Sequence, residues 1–143
     1  MRKPIYILLL LLFPARPFAQ TQAGSSIVLD AFKSLPKEID GCEELCSYKD
    51  TPLKEKKYVW VTNMQGLGMI KVGGKVIRLN RTSEKVSGKT HREVYKGGGY
   101  TIVVTTKPIK ENEAEESSYE AGSLEISYGS KTATFVIHGI TGC

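Results

Sequence analysis

The 143-residue chain has only two histidines, three cysteines and one tryptophan. Those shortages exclude a good deal of chemistry. Structural zinc wants four ligands, usually in two tight pairs. Cys42-Glu-Glu-Leu-Cys46 offers one pair, and no second pair exists for His91 or His138 to complete, so no metal site is expected. A nucleophilic Ser or Cys needs a base and a group to orient it. No spacing in the chain marks such a set, so no catalytic residue, no cofactor and no enzymatic activity are expected. Beyond residue 23, no stretch is apolar enough for a helix to cross a membrane. No repeat period is present. Aromatic residues are not interleaved with the bases as on a nucleic-acid platform, which leaves nucleic acid out of the expected partners.

Two stretches imitate phosphate loops and fail on context. Ser87-Gly88-Lys89-Thr90 matches the end of a P-loop, but the motif requires glycine where Ser83 stands, and a strand–loop–helix setting. "KGGGY" (96–100) has no helix N-terminus behind it and reads as a flexible loop between strands.

What is present begins at the N-terminus. Met1-Arg2-Lys3 is basic, Ile5 to Phe13 is uninterrupted apolar sequence, and small residues stand at Ala19 and Ala23. This layout predicts a secretory signal peptide over residues 1–23, hence export to the periplasm or the extracellular space. Residues 24–143 then form a single domain with a modest core. Arg2, Lys3 and Arg16 fall within the signal, so the formal charge of +5 drops to +2 without them. The remaining charge is unevenly spread. Residues 54–110 carry thirteen Lys and Arg, whereas 111–125 carry six Glu and no base. A solvated β-surface beside an acidic loop accounts for this split without any partner; steering of an acidic partner to one face is the functional alternative.

"SSIVLDAFKSLP" predicts a short N-terminal helix, capped by Ser25 or Ser26, with Val28, Ala31, Phe32 and Leu35 on one face and Pro36 as its stop. "GCEELCSYKDTPLKEKK" reads as a loop. From Tyr58 the period changes to two. Strands are expected at 58–63, 68–72, 75–80, 91–96, 100–107, 123–128 and 132–138, with hairpin turns at Gly73-Gly74 and Gly129-Ser130. The fold class is therefore all-β: a small antiparallel barrel or sandwich of about seven to eight strands. The acidic stretch 110–121 is expected to be an irregular, mobile insert.

An exported small domain uses disulfides to supplement its core. Cys143 follows the last strand, and Cys42 and Cys46 precede the first expected one. A bridge from Cys143 to Cys42 or to Cys46 would tie the domain's ends together, leaving one thiol free. Asn80-Arg81-Thr82 is a formal glycosylation sequon.

Two resemblances extend this reading. "GCEELCSY", "YVWV", "MIKVGGKVIRL", "EAEESSYEAGSL" and "IHGITGC" spread over about 100 residues. In these pieces the chain resembles a group of small exported bacterial β-proteins of no assigned function. It differs from them in the wider spacing of Cys42 and Cys46, and in Thr141, which stands in place of a cysteine. The second resemblance starts from Ser87-Gly88, with His91 where a tyrosine is the rule, and from Lys107 after "YTIVVTT". Here the chain resembles the c-type lysozyme inhibitors, exported β-barrels closed by a disulfide between first and last strands. That resemblance implies Ser87, Gly88, Lys89 and Lys107 as partner-binding residues, with the serine entering the lysozyme cleft. The functional expectation is a non-enzymatic binding module for an unknown envelope or extracellular ligand, a protein among the candidates. The alternative is a protein like the c-type lysozyme inhibitors.

Overall fold

Each of the seven stretches expected as strands meets one, although 58–63 is cut to Trp60–Thr62, and the turns between them set the strand order. The computed structural model describes residues 26–143; the expected signal peptide, residues 1–23, lies outside them. Eight strands follow in sequence: β1 (Glu43–Tyr48), β2 (Trp60–Thr62), β3 (Leu67–Val72), β4 (Lys75–Ser87), β5 (Thr90–Gly97), β6 (Tyr100–Asn112), β7 (Ser117–Tyr128) and β8 (Lys131–Gly142). Each pairs antiparallel with the next, and β8 returns to β1, closing a barrel. Gly73 and Gly74 turn the β3–β4 hairpin with φ of 56° and 78°, the positive values that a primed two-residue turn requires. Gly98 and Gly99 do the same for β5–β6, so "KGGGY" is a tight hairpin rather than a flexible loop.

Three local expectations are overturned. The stretch around Cys42 is strand β1, not loop. Its glutamates disfavour a strand locally, but Leu45 is paired on both sides, with Val61 of β2 and Ile140 of β8. The acidic insert is also mostly strand. Glu111 pairs with Ser118 and Asn112 with Ser117, which leaves a single 3-10 turn at Glu113–Glu115. The N-terminal helix is absent from the described residues. Ile27 and Leu29 are buried while Val28 between them is exposed, the alternation of an extended chain. That segment is held from outside: the Asp30 N–H donates to the Lys71 carbonyl, and the Phe32 N–H to the Tyr58 carbonyl.

The N-terminal segment has two jobs. Ile27 and Leu29 join the interior cluster of Val59, Trp60, Ile70, Leu79, Tyr95, Ile102 and Leu124, closing the barrel end that carries the short hairpins. Phe32 and Ile39 cover the outer face of β1 to β3, packing on Leu45, Val61 and Met69. Trp60 is fully buried and meets Tyr95 edge-on, with ring centres 4.9 Å apart. A Cβ at Gly68 would lie 2.2 Å from the Trp60 ring, so glycine there makes room for the indole.

Cys42 and Cys143 form the disulfide, across a sequence separation of 101 residues; Cys46 is the buried free thiol. Closing a loop of that length stabilises a fold by about 4–5 kcal/mol through the unfolded chain's entropy. We expect Cys143→Ser to lose a large part of this in urea unfolding, and the Cys46 thiol to resist labelling until the protein unfolds. Gly68→Ala should cost about 1–3 kcal/mol by overpacking, with an altered Trp60 fluorescence spectrum. Wild-type stability and spectrum in that variant would show that the indole has slack.

A candidate binding cavity at the open end of the barrel

The inward-facing side chains change character along the barrel axis. On β1 they run Tyr48, Cys46, Glu44; on β5 Tyr95, Glu93, His91; on β7 Ile126, Leu124, Gly122, Glu120, Ser118. Each strand therefore starts apolar at the end closed by Ile27 and Leu29 and turns polar towards the other end. There the interior opens into a cavity of about 520 Å³. Its deeper wall carries Glu44, Thr62, Glu93, Thr106, Glu120 and Thr141, and its rim is built by the long β4–β5 and β6–β7 hairpins. Seven of the lining residues are glutamates: Glu44, Glu84, Glu93, Glu111, Glu113, Glu116 and Glu120. His91 is the one basic residue among them.

Hydrogen bonds divide these carboxylates unequally. Glu93 is the best satisfied, receiving Arg81 Nη1 at 2.5 Å and the Tyr95 hydroxyl at 3.2 Å. Arg81 also reaches Glu84 at 3.3 Å, and the bond to Glu93 holds its guanidinium above the ordinary arginine range. Glu120, 7% exposed, accepts from the Ser118 hydroxyl and from Thr141 Oγ1 at 3.1 Å. Glu44, 6% exposed, accepts among the described residues only from the Cys46 thiol, at 3.5 Å. The Trp60 indole N–H lies close enough to favour the ionised form of Glu44, yet it is buried and makes no hydrogen bond among the described residues.

Burial dominates the titration of this floor. It raises Glu44 from 4.5 to about 7, and the neighbouring Glu93 and Glu120 carboxylates push in the same direction. Burial also pushes up the Cys46 thiol and the Tyr95 phenol. Cys46 is therefore an inert neutral donor to Glu44 rather than a reactive thiolate. The hydroxyls of Ser118 and Thr141, 2.8 Å apart, are engaged with each other and with Glu120. The cavity can thus offer acceptors and negative charge, and it can hold a proton on Glu44 near neutral pH.

The residues expected to bind a partner sit elsewhere. Ser87 ends β4, and Gly88 and Lys89 form the tip of the β4–β5 hairpin, all exposed. Lys107 is exposed on β6, one residue past Thr106, which pairs with His91. All four share the barrel's open end, and none lines the cavity. His138, expected to be an ordinary strand residue, hydrogen-bonds through Nε2 to the Thr51 carbonyl and ties β8 to the β1–β2 connection. Sequence reasoning missed Glu44, Glu93 and Glu120. The available signal was a glutamate on the same period-two face as Cys46, Tyr95 or Leu124. Compared with protein-family models, with curated proteins and with solved structures, the chain finds no significant match.

The buried Glu44 makes stability depend on pH in a defined direction. Its folded pKa lies above its unfolded one, so the folded state takes up a proton as pH falls from 7 towards 4.5. The contribution is fully present below the unfolded pKa and is lost as pH rises through about 7. The groups facing Glu44 are Cys46 on its own strand, the Trp60 N–H of β2, Glu93 of β5 and Glu120 of β7. Glu44→Gln should therefore gain stability relative to wild type by roughly 3 kcal/mol between pH 4.5 and pH 8, measured by urea unfolding at each pH. A stability difference that does not change with pH would place the Glu44 charge in water.

Proposed function

We propose that this chain is an exported, non-enzymatic binding protein that takes its ligand through the open end of the barrel. One observation carries the reading: one end of the barrel is filled by Ile27 and Leu29, and the other opens on a cavity of about 520 Å³. Barrel mouths are common ligand sites, and that volume suits a small molecule. The Cys42–Cys143 disulfide supports an oxidising compartment, as the N-terminal sequence does. The apolar residues fill the interior, while Lys85, Arg92, Lys96 and Lys107 are exposed. That arrangement is the reverse of a barrel that faces lipid. The binding reading is preferred over catalysis because Ser118 and Thr141 are bound to Glu120, an acceptor that holds them in place, and among the described residues no histidine is bonded to either.

A second reading has one observation in its favour. The eight-stranded barrel bridged between its ends has the architecture that the resemblance to c-type lysozyme inhibitors implies, with Ser87-Gly88-Lys89 exposed at a hairpin tip. The two readings separate experimentally. On the cavity reading, the purified protein retains a small molecule from envelope or medium extract in native mass spectrometry. Ser118→Trp, which fills the mouth, should abolish retention, and a lysozyme lysis assay should show no inhibition at micromolar protein. Inhibition weakened at least ~tenfold by Ser87→Ala or Lys89→Ala would instead establish the hairpin as the functional surface.

A further inference from the structure

We propose that the cavity binds a primary aliphatic amine, the end of a small polyamine chain, with its ammonium group held against the Glu44 carboxylate. The inference rests on the cavity reading and names its ligand class. It stands on three features. The first is the cavity itself, with acceptors at two depths: Glu44, Glu120 and Thr62 on the floor and Glu111, Glu113 and Glu116 at the rim. The second is that Glu44, more than nine-tenths buried and facing this space, accepts among the described residues from one weak thiol donor, with the Trp60 indole N–H nearby but not bonded to it. A buried carboxylate of this kind either takes a proton or takes a cation that supplies the missing donors. The third is geometric convergence. Glu44 lies opposite Thr141 in the β1–β8 ladder, and Thr141 Oγ1 donates to Glu120, so two buried carboxylates flank one threonine.

The lining discriminates among cations. No lysine or arginine lines the cavity, which leaves an anionic ligand without a counter-ion. A quaternary ammonium is recognised by aromatic faces, and among the lining residues His91 alone is aromatic. Among the described residues no group of three or more acidic, His or Cys side chains could hold a metal ion. An ammonium group with N–H donors fits what remains: hydroxyls and carboxylates, of which Glu44 and Glu120 are buried. Arg81 already occupies Glu93, so the carboxylates without a cationic partner are Glu44 and Glu120 at depth and those of the β6–β7 rim. Charge at two depths suits a chain with an amine at each end.

The test is isothermal titration of the purified protein with spermidine at about 150 mM salt, where exposed charges are largely screened. Putrescine, choline and magnesium are titrated alongside. We expect one spermidine per barrel, weaker putrescine, and neither choline nor magnesium competing. Glu44→Gln and Glu120→Gln should each weaken spermidine at least ~tenfold. Glu55→Gln, whose partner is the exposed Lys57, should leave it unchanged. Near-ultraviolet circular dichroism of the buried Trp60 certifies that each variant is folded. Equal affinity in all three variants, or competition by magnesium, would overturn the proposal as surface electrostatics. If spermidine fails to bind while an extract molecule is still lost from Ser118→Trp, the amine is wrong and the cavity reading stands. If neither binds, both fall.

Discussion

The pairing of β8 with β1 is the contact on which the rest of the structure depends. Six residue pairs, from Glu43↔Gly142 to Tyr48↔Ile137, turn an open meander with two free edges into a closed barrel. The approach is close. A Cβ on Gly139 would fall 2.5 Å from the Leu45 carbonyl oxygen, so glycine lets the last strand lie against the first. The Cys42–Cys143 bond pins the same seam at its outer end. Closure then separates an inside from an outside on every strand, and the interior cluster and the polar cavity are both its products.

The axial gradient within that interior separates a packed apolar part from a polar one. The closed end is packed with residues such as Trp60, Tyr95, Leu79 and Ile126, all fully buried, and is sealed by the N-terminal segment. The upper part gives up apolar packing for glutamates and hydroxyls. Arg81 offsets part of the charge by binding Glu93 and Glu84, while Glu44 is left with a thiol and a nearby indole that does not bond it. A buried carboxylate with so few donors costs folding free energy unless it is protonated or gains a partner.

Much of the fold was legible because alternation and turns are local. "TIVVTT", "SLEISY" and "TATFVIH" alternate by themselves, and two adjacent glycines need only each other to make a hairpin. The misreadings share one physical cause. β1 and the distal β6–β7 hairpin are rich in glutamate, a poor strand former, and become strands because neighbours on both sides complete their hydrogen bonds. The N-terminal segment spaces Val28, Ala31, Phe32 and Leu35 like a helix. Its buried residues are nevertheless set by the barrel end and the β1–β3 face that it covers.

The sequence by itself determined the all-β class, the meander order, the strand cores and the presence of a terminal cysteine bridge, since each follows from residues near one another or from their number. Only the tertiary structure decided closure, the choice of Cys42 over Cys46, and the candidate site. Glu44, Glu93 and Glu120 come from β1, β5 and β7, and no local pattern relates them. They meet because register and closure bring the same level of distant strands around one axis, and register is fixed by packing over the whole sheet.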